Sequence, residues 1–120
     1  MAIRPMTRLK ENKARERRIK MEVVVDAYNS EERAMGWYYY LEEKLRVPFK
    51  ARCQFNREIS PLRVGEEVEV LGMAPETKCE SEIFVRIRWH GSKLAVPLAQ
   101  LKPSGADVTT SEAVADWHYW

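Results

Sequence analysis

At Pro48 the spacing of apolar residues changes from one helical turn to every second residue, and no other feature of the chain constrains the fold as much. Ahead of it, Ala34, Trp37 or Tyr38, Leu41 and Leu45 recur every three or four positions, as one face of a helix does. Behind it, Ala51, Cys53 and Phe55, then Val68 and Val70, then Ile83, Val85, Ile87 and Trp89 alternate with polar residues, the pattern of half-buried strands. Pro48 also pushes Val47 out of helical geometry. Helices first and strands afterwards make an α+β chain, and 120 residues are enough for one core.

Two helices are predicted in the first half. Lys, Arg, Glu and Ala favour one over about 10–28, with Ile19, Val23 and Ala27 as its stripe, although the β-branched run Val23–Val25 opposes it. A second, over about 30–46, starts at Asn29 or Ser30; Asn29 with Glu32 three residues on resembles a capping box. This helix carries four aromatic rings in a row, Trp37 to Tyr40. Successive side chains on a helix turn by about 100°, so the four point nearly all the way round. A helix wedged between a sheet and other helices uses such a girdle, with tyrosine hydroxyls at the margin reaching water or backbone.

The second half reads as a small SH3-like antiparallel β-barrel over about 50–102. "GS" at 91 and 92 suits a tight hairpin turn, and a short 3₁₀ turn near Pro97 to Leu101 joins the last strands. After the polar link "KPSGADVTT", Thr110 or Ser111 caps a final helix over about 111–120, with Val114, Trp117 and His118 sharing a face. The expected organisation is therefore a basic arm over 1–20 and a single domain over 21–120.

Charge divides along the same line. Residues 1–20 hold eight Lys or Arg against Glu11 and Glu16, while the remaining hundred hold twelve bases and sixteen acids. An arm of that kind attracts phosphate, so contact with nucleic acid or an acidic protein through it is one expectation. No apolar run is long enough to span a membrane and the N-terminus lacks a signal-peptide core, which predicts a cytoplasmic protein with no membrane partner. Cys53 and Cys79 then read as reduced core residues. Two dispersed histidines, no nucleophile elbow and no phosphate-cradling glycine loop predict that the chain is not an enzyme.

Hard cations fit the side-chain inventory better. Calcium takes about six to eight oxygen ligands, and acid-rich loops supply them. "DAYNSEE" offers Asp26, Glu31 and Glu32 beside Asn29 and Ser30; "ETKCESE" offers Glu76, Glu80 and Glu82 beside Thr77 and Ser81. Asp107, Glu112 and Asp116 form a sparser set, and there is no EF-hand ladder. Each cluster has a plainer use, as a helix cap, a solvated loop or helix-start charge. Lys78 sits inside the second cluster and works against a cation there.

Five blocks, "VDAYNSEERAMGWYYYLEEKLRVPFKARC", "SPLRVGEEVEVLGM", "CESEIFVRIRW", "LAVPLAQL" and "ADWHYW", resemble the bacterial calcium-binding family typified by the cyanobacterial protein CcbP. The resemblance covers roughly residues 20 to 120, and "GWYYYLE" with "LAVPLAQL" is its most specific part. It implies a cytoplasmic, non-EF-hand calcium buffer or regulator that uses surface acids. Asp26, Glu31, Glu32, Glu76, Glu80 and Glu82 are the candidate ligands. The alternative is an SH3-like interaction module acting through its basic arm.

Overall fold

The computed structural model describes residues 12–120. Arg4, Arg8, Lys10, Glu11 and the predicted start of the first helix lie outside them. Helix α1 is Lys13–Arg18, capped by Asn12, and it continues as a π-helical turn over Ile19–Val23. The helical path ends at Val24, short of the predicted Tyr28, where consecutive valines resist helical χ1 crowding. Ile19 and Val23 are buried as their spacing predicts, but Ala27 lies beyond the helix.

Helix α2, Ser30–Lys44, has the predicted cap: Asn29 Oδ1 accepts from the Glu32 N–H at 2.8 Å. The return arm is displaced by one residue, since Glu32 Oε1 accepts from the Tyr28 N–H at 2.6 Å. Trp37, Tyr38 and Tyr40 are buried, whereas Tyr39 is 51% exposed. The girdle is occupied as expected: Tyr38 donates to the Ala74 carbonyl, and Trp37 meets Tyr40 and Trp117 edge to face. On another side α2 touches the π turn so closely that a Cβ on Gly36 would run into the Val23 carbonyl oxygen.

Strands β1 Phe49–Cys53, β2 Glu67–Met73, β3 Phe84–Trp89, β4 Ser92–Pro97 and β5 Leu101–Gly105 form one antiparallel sheet in the order β4-β3-β2-β1-β5. The sheet is not closed into the predicted barrel. β4 pairs along its length with β3 and β5 with β1, and the 3₁₀ turn Leu98–Gln100 only carries the chain from one edge to the other. Pro97 and Pro103, which lack an N–H, suit those edges.

Three local expectations are corrected. β1 ends at Cys53, so Phe55 is 42% exposed rather than inward; its carbonyl accepts from Gln100 Nε2. The β3–β4 hairpin turns on His90–Gly91, at φ +46° and +83°, one residue before "GS", because a two-residue primed turn needs positive φ at both positions. Helix α3 is Val108–Tyr119, earlier than predicted, because Asp107 accepts from the Thr110 N–H and is the stronger cap. Thr110 is instead buried and accepts from the Arg46 N–H.

The core lies between the inner sheet face, with Val70, Val85, Ile87 and Leu101, and the helices, with Leu41, Trp37 and Val114. Among the described residues no helix is long and apolar enough to cross a membrane.

Candidate metal centre

The two central acid clusters meet in space. The first turn of α2 faces the short 3₁₀ turn Glu76–Lys78 across an open hollow of about 290 Å³, which Glu31, Glu76, Glu80, Thr77 and Met35 line. Three of the six candidate ligands are thus gathered from segments more than forty residues apart. Glu76 is steadied by Tyr39, whose hydroxyl donates to its Oε2 at 2.6 Å and is pushed above its ordinary range by that carboxylate. The other carboxylate oxygen retains its lone pairs for a cation.

The other three candidates are not brought there. Glu32 turns back to the Tyr28 N–H as part of the helix cap. Glu82 is held by Arg57 in a bidentate pair at 2.6 and 3.1 Å, which raises the guanidinium further. Asp26 is exposed in the turn between α1 and α2 and lines no part of the hollow. Among the described residues no three His, Cys, Asp or Glu side chains stand close enough to hold a metal ion as placed. Glu31, Glu76 and Glu80 therefore frame the hollow without converging on one point. Lys78 is exposed and is not among the residues that line it.

The sparser C-terminal set is committed elsewhere. Asp116 is fully buried and accepts from Arg15 at 2.6 Å, from Arg18 at 2.8 and 3.0 Å and from the Tyr40 hydroxyl at 2.8 Å. Glu112 lies 3.6 Å from Arg18, and Asp107 caps α3. The same contacts bear on the basic arm, because Arg15 and Arg18 are turned inward onto α3 instead of outward to a phosphate backbone. Nothing in the spacing of the sequence marks these pairs, nor the one between Tyr39 and Glu76.

A family model described as calcium binding, of the CcbP type, matches residues 17–120. This chain belongs to the CcbP calcium-binding family. The crystal structure of Anabaena CcbP is 38% identical to this family member, with a TM-score of 0.81 over 92% of this chain and 91% of that one. A calcium binding protein in its calcium-binding form is 37% identical, with a TM-score of 0.82 over 93% and 92% of the two chains. No curated protein matches. Calcium is the family's ion, and the acidic hollow fits its chemistry, since carboxylate and hydroxyl oxygens surround it while both cysteines and the imidazoles lie elsewhere.

Proposed function

We propose that this CcbP-family protein binds calcium in the hollow between α2 and the 3₁₀ turn, with Glu31, Glu76 and Glu80 as carboxylate ligands and Thr77 as an oxygen donor beside them. The observation that carries the reading is the meeting of those three acids from two distant segments, while Glu82 and Asp116 are neutralised by arginine. Calcium tolerates irregular geometry and takes its remaining ligands from backbone carbonyls and water. Magnesium, which demands a near-ideal octahedron, is the poorer fit.

Affinity is weak to moderate in this reading. Three carboxylates have to move inward, and Glu31 stands in the first turn of α2, where the positive end of the helix dipole opposes a cation. A dissociation constant of roughly 10⁻⁴ M is the expected order. The role is that of a cytoplasmic buffer or regulator that works without an EF-hand, and Cys53 and Cys79, both free and buried, support a reducing compartment. The strand order and the 3₁₀ link before β5 support an open SH3-like reading of the sheet. A binding role rather than a catalytic one is supported by the histidines: His90 is spent in a hairpin turn and His118 faces the Leu98 carbonyl.

Calorimetric titration with calcium and, separately, magnesium at physiological salt tests the reading. The expected result is saturable calcium binding that Glu31→Gln, Glu76→Gln and Glu80→Gln each weaken at least about fivefold, while Glu82→Gln leaves it unchanged. No heat at millimolar calcium, or equal loss in Glu82→Gln, would remove it.

A further inference from the structure

A second hollow lies on the other side of Glu80. It holds about 260 Å³ between the first turns of α2, the loop ahead of β3 and the end of α3. Trp37 lines it and is 1% exposed, yet its indole Nε1 has no acceptor among the described residues. A buried N–H left without a partner is uncommon in folded proteins, and this one presents essentially no accessible surface to the hollow. Trp117 and Trp120 stand beside it with ring centroids 5.1 and 5.9 Å from Trp37, so one wall is indole. Trp120 is itself 55% exposed, an apolar cost that a ligand would relieve.

The polar part of the lining carries one uncommitted charge of each sign. Arg33 is half-buried and its guanidinium makes no ion pair or hydrogen bond among the described residues. Glu80 is likewise without a partner, whereas the charge on Glu82 is taken up by Arg57. A ligand with only a negative charge would meet Glu80, and one with only a positive charge would meet Arg33. A zwitterion with an apolar body satisfies both. Its carboxylate would take the Arg33 guanidinium, its ammonium Glu80, and its side chain the tryptophan wall. The volume is below the roughly 300–1,000 Å³ of drug-sized pockets and equals about nine water molecules at roughly 30 Å³ each, which suits one amino acid.

We propose that this hollow binds a free α-amino acid with an apolar side chain. The site stands apart from the calcium reading except at one residue: Glu80 borders both hollows, so a calcium ion held in the acidic one competes for its carboxylate.

The test is titration of calcium-free protein with L-leucine, followed by tryptophan fluorescence and calorimetry. Saturable binding is expected, with N-acetyl-L-leucine and L-leucinamide, each lacking one charge, at least about tenfold weaker. Arg33→Gln and Glu80→Gln should each weaken leucine by about tenfold, and Arg33→Gln should leave the calcium titration unchanged because Arg33 borders only this hollow. No binding of leucine at about 10 mM, or binding that both substitutions leave intact, would overturn the proposal.

Discussion

Asp116→Asn would test whether the basic segment is latched to α3. The carboxylate is fully buried and takes four hydrogen bonds: from Arg15 Nη1 and Arg18 Nη2 to Oδ1, and from Arg18 Nε and the Tyr40 hydroxyl to Oδ2. Asparagine keeps the shape but removes the charge, and its amide hydrogens face donors. Removing one partner of a buried ion pair costs about 3–5 kcal/mol, because the opposite charge stays where it was. Arg15 and Arg18 are 20% and 23% exposed, so they recover part of their hydration, which places the loss at the lower end, about 3 kcal/mol. For a domain of this size that is a fall in Tm of roughly 10–15 °C. Urea melts read by tryptophan fluorescence supply the number, since Trp37, Trp117 and Trp120 lie together at this end of the fold. Tyr40→Phe, which removes a single donor, should cost only about 1–2 kcal/mol. The triple substitution of Arg15, Arg18 and Asp116 should cost much less than the sum of the parts. A loss within about 1 kcal/mol for Asp116→Asn, or full additivity, would refute the latch.

Gly36→Ala should destabilise by about 1–3 kcal/mol in the same melts, although alanine is the better helix former, because the new Cβ strikes the Val23 carbonyl; a neutral or stabilising result would mean the π turn moves freely away. Tyr38→Phe leaves the Ala74 carbonyl without its donor inside the core and should cost about 1–2 kcal/mol. The Thr110 N–H holds the Asp107 carboxyl below the ordinary carboxylate range, so its stabilisation is complete above the unfolded value of about 3.9 and fades as pH falls through the lower folded value. Asp107→Ala should therefore be less stable than the wild type at neutral pH, with the gap closing only on strong acidification; a gap unchanged by acid would contradict the cap. Lys78→Gln should alter calcium affinity by less than about twofold at physiological salt, since the exposed ammonium stands outside the acidic hollow and is screened.

Local chemistry was the readable part of the fold. The change of period at Pro48, the Asn29 cap and the inward sets of β1, β2 and β3 each depend on residues within a turn or a strand of one another, and each appears where its spacing predicts except Phe55, which lies beyond the end of β1. The misses are competitions between neighbours. Asp107 outbids Thr110 for the start of α3, His90 accepts positive φ ahead of Gly91, and three valines outweigh the helix formers before them. Whether five strands close or stay open depends on pairing between β4 and β5, and no local pattern encodes that.

The candidate site was legible in composition and not in pairing. "DAYNSEE" and "ETKCESE" stand out as oxygen-rich, but the partner of each acid is chosen by the fold. Glu82 meets Arg57 across twenty-five residues, and Asp116 meets Arg15 and Arg18 across about a hundred, so two acids that look available are spent. The same pairing takes two arginines out of a segment that reads, by its count of bases, as a hand for phosphate. Glu31, Glu76 and Glu80, which border one hollow, are paired with no arginine among the described residues, and this is what leaves them to the proposed cation. In the proposed reading a divalent cation would draw the three carboxylates together by balancing their charge, with backbone carbonyls and water completing its shell.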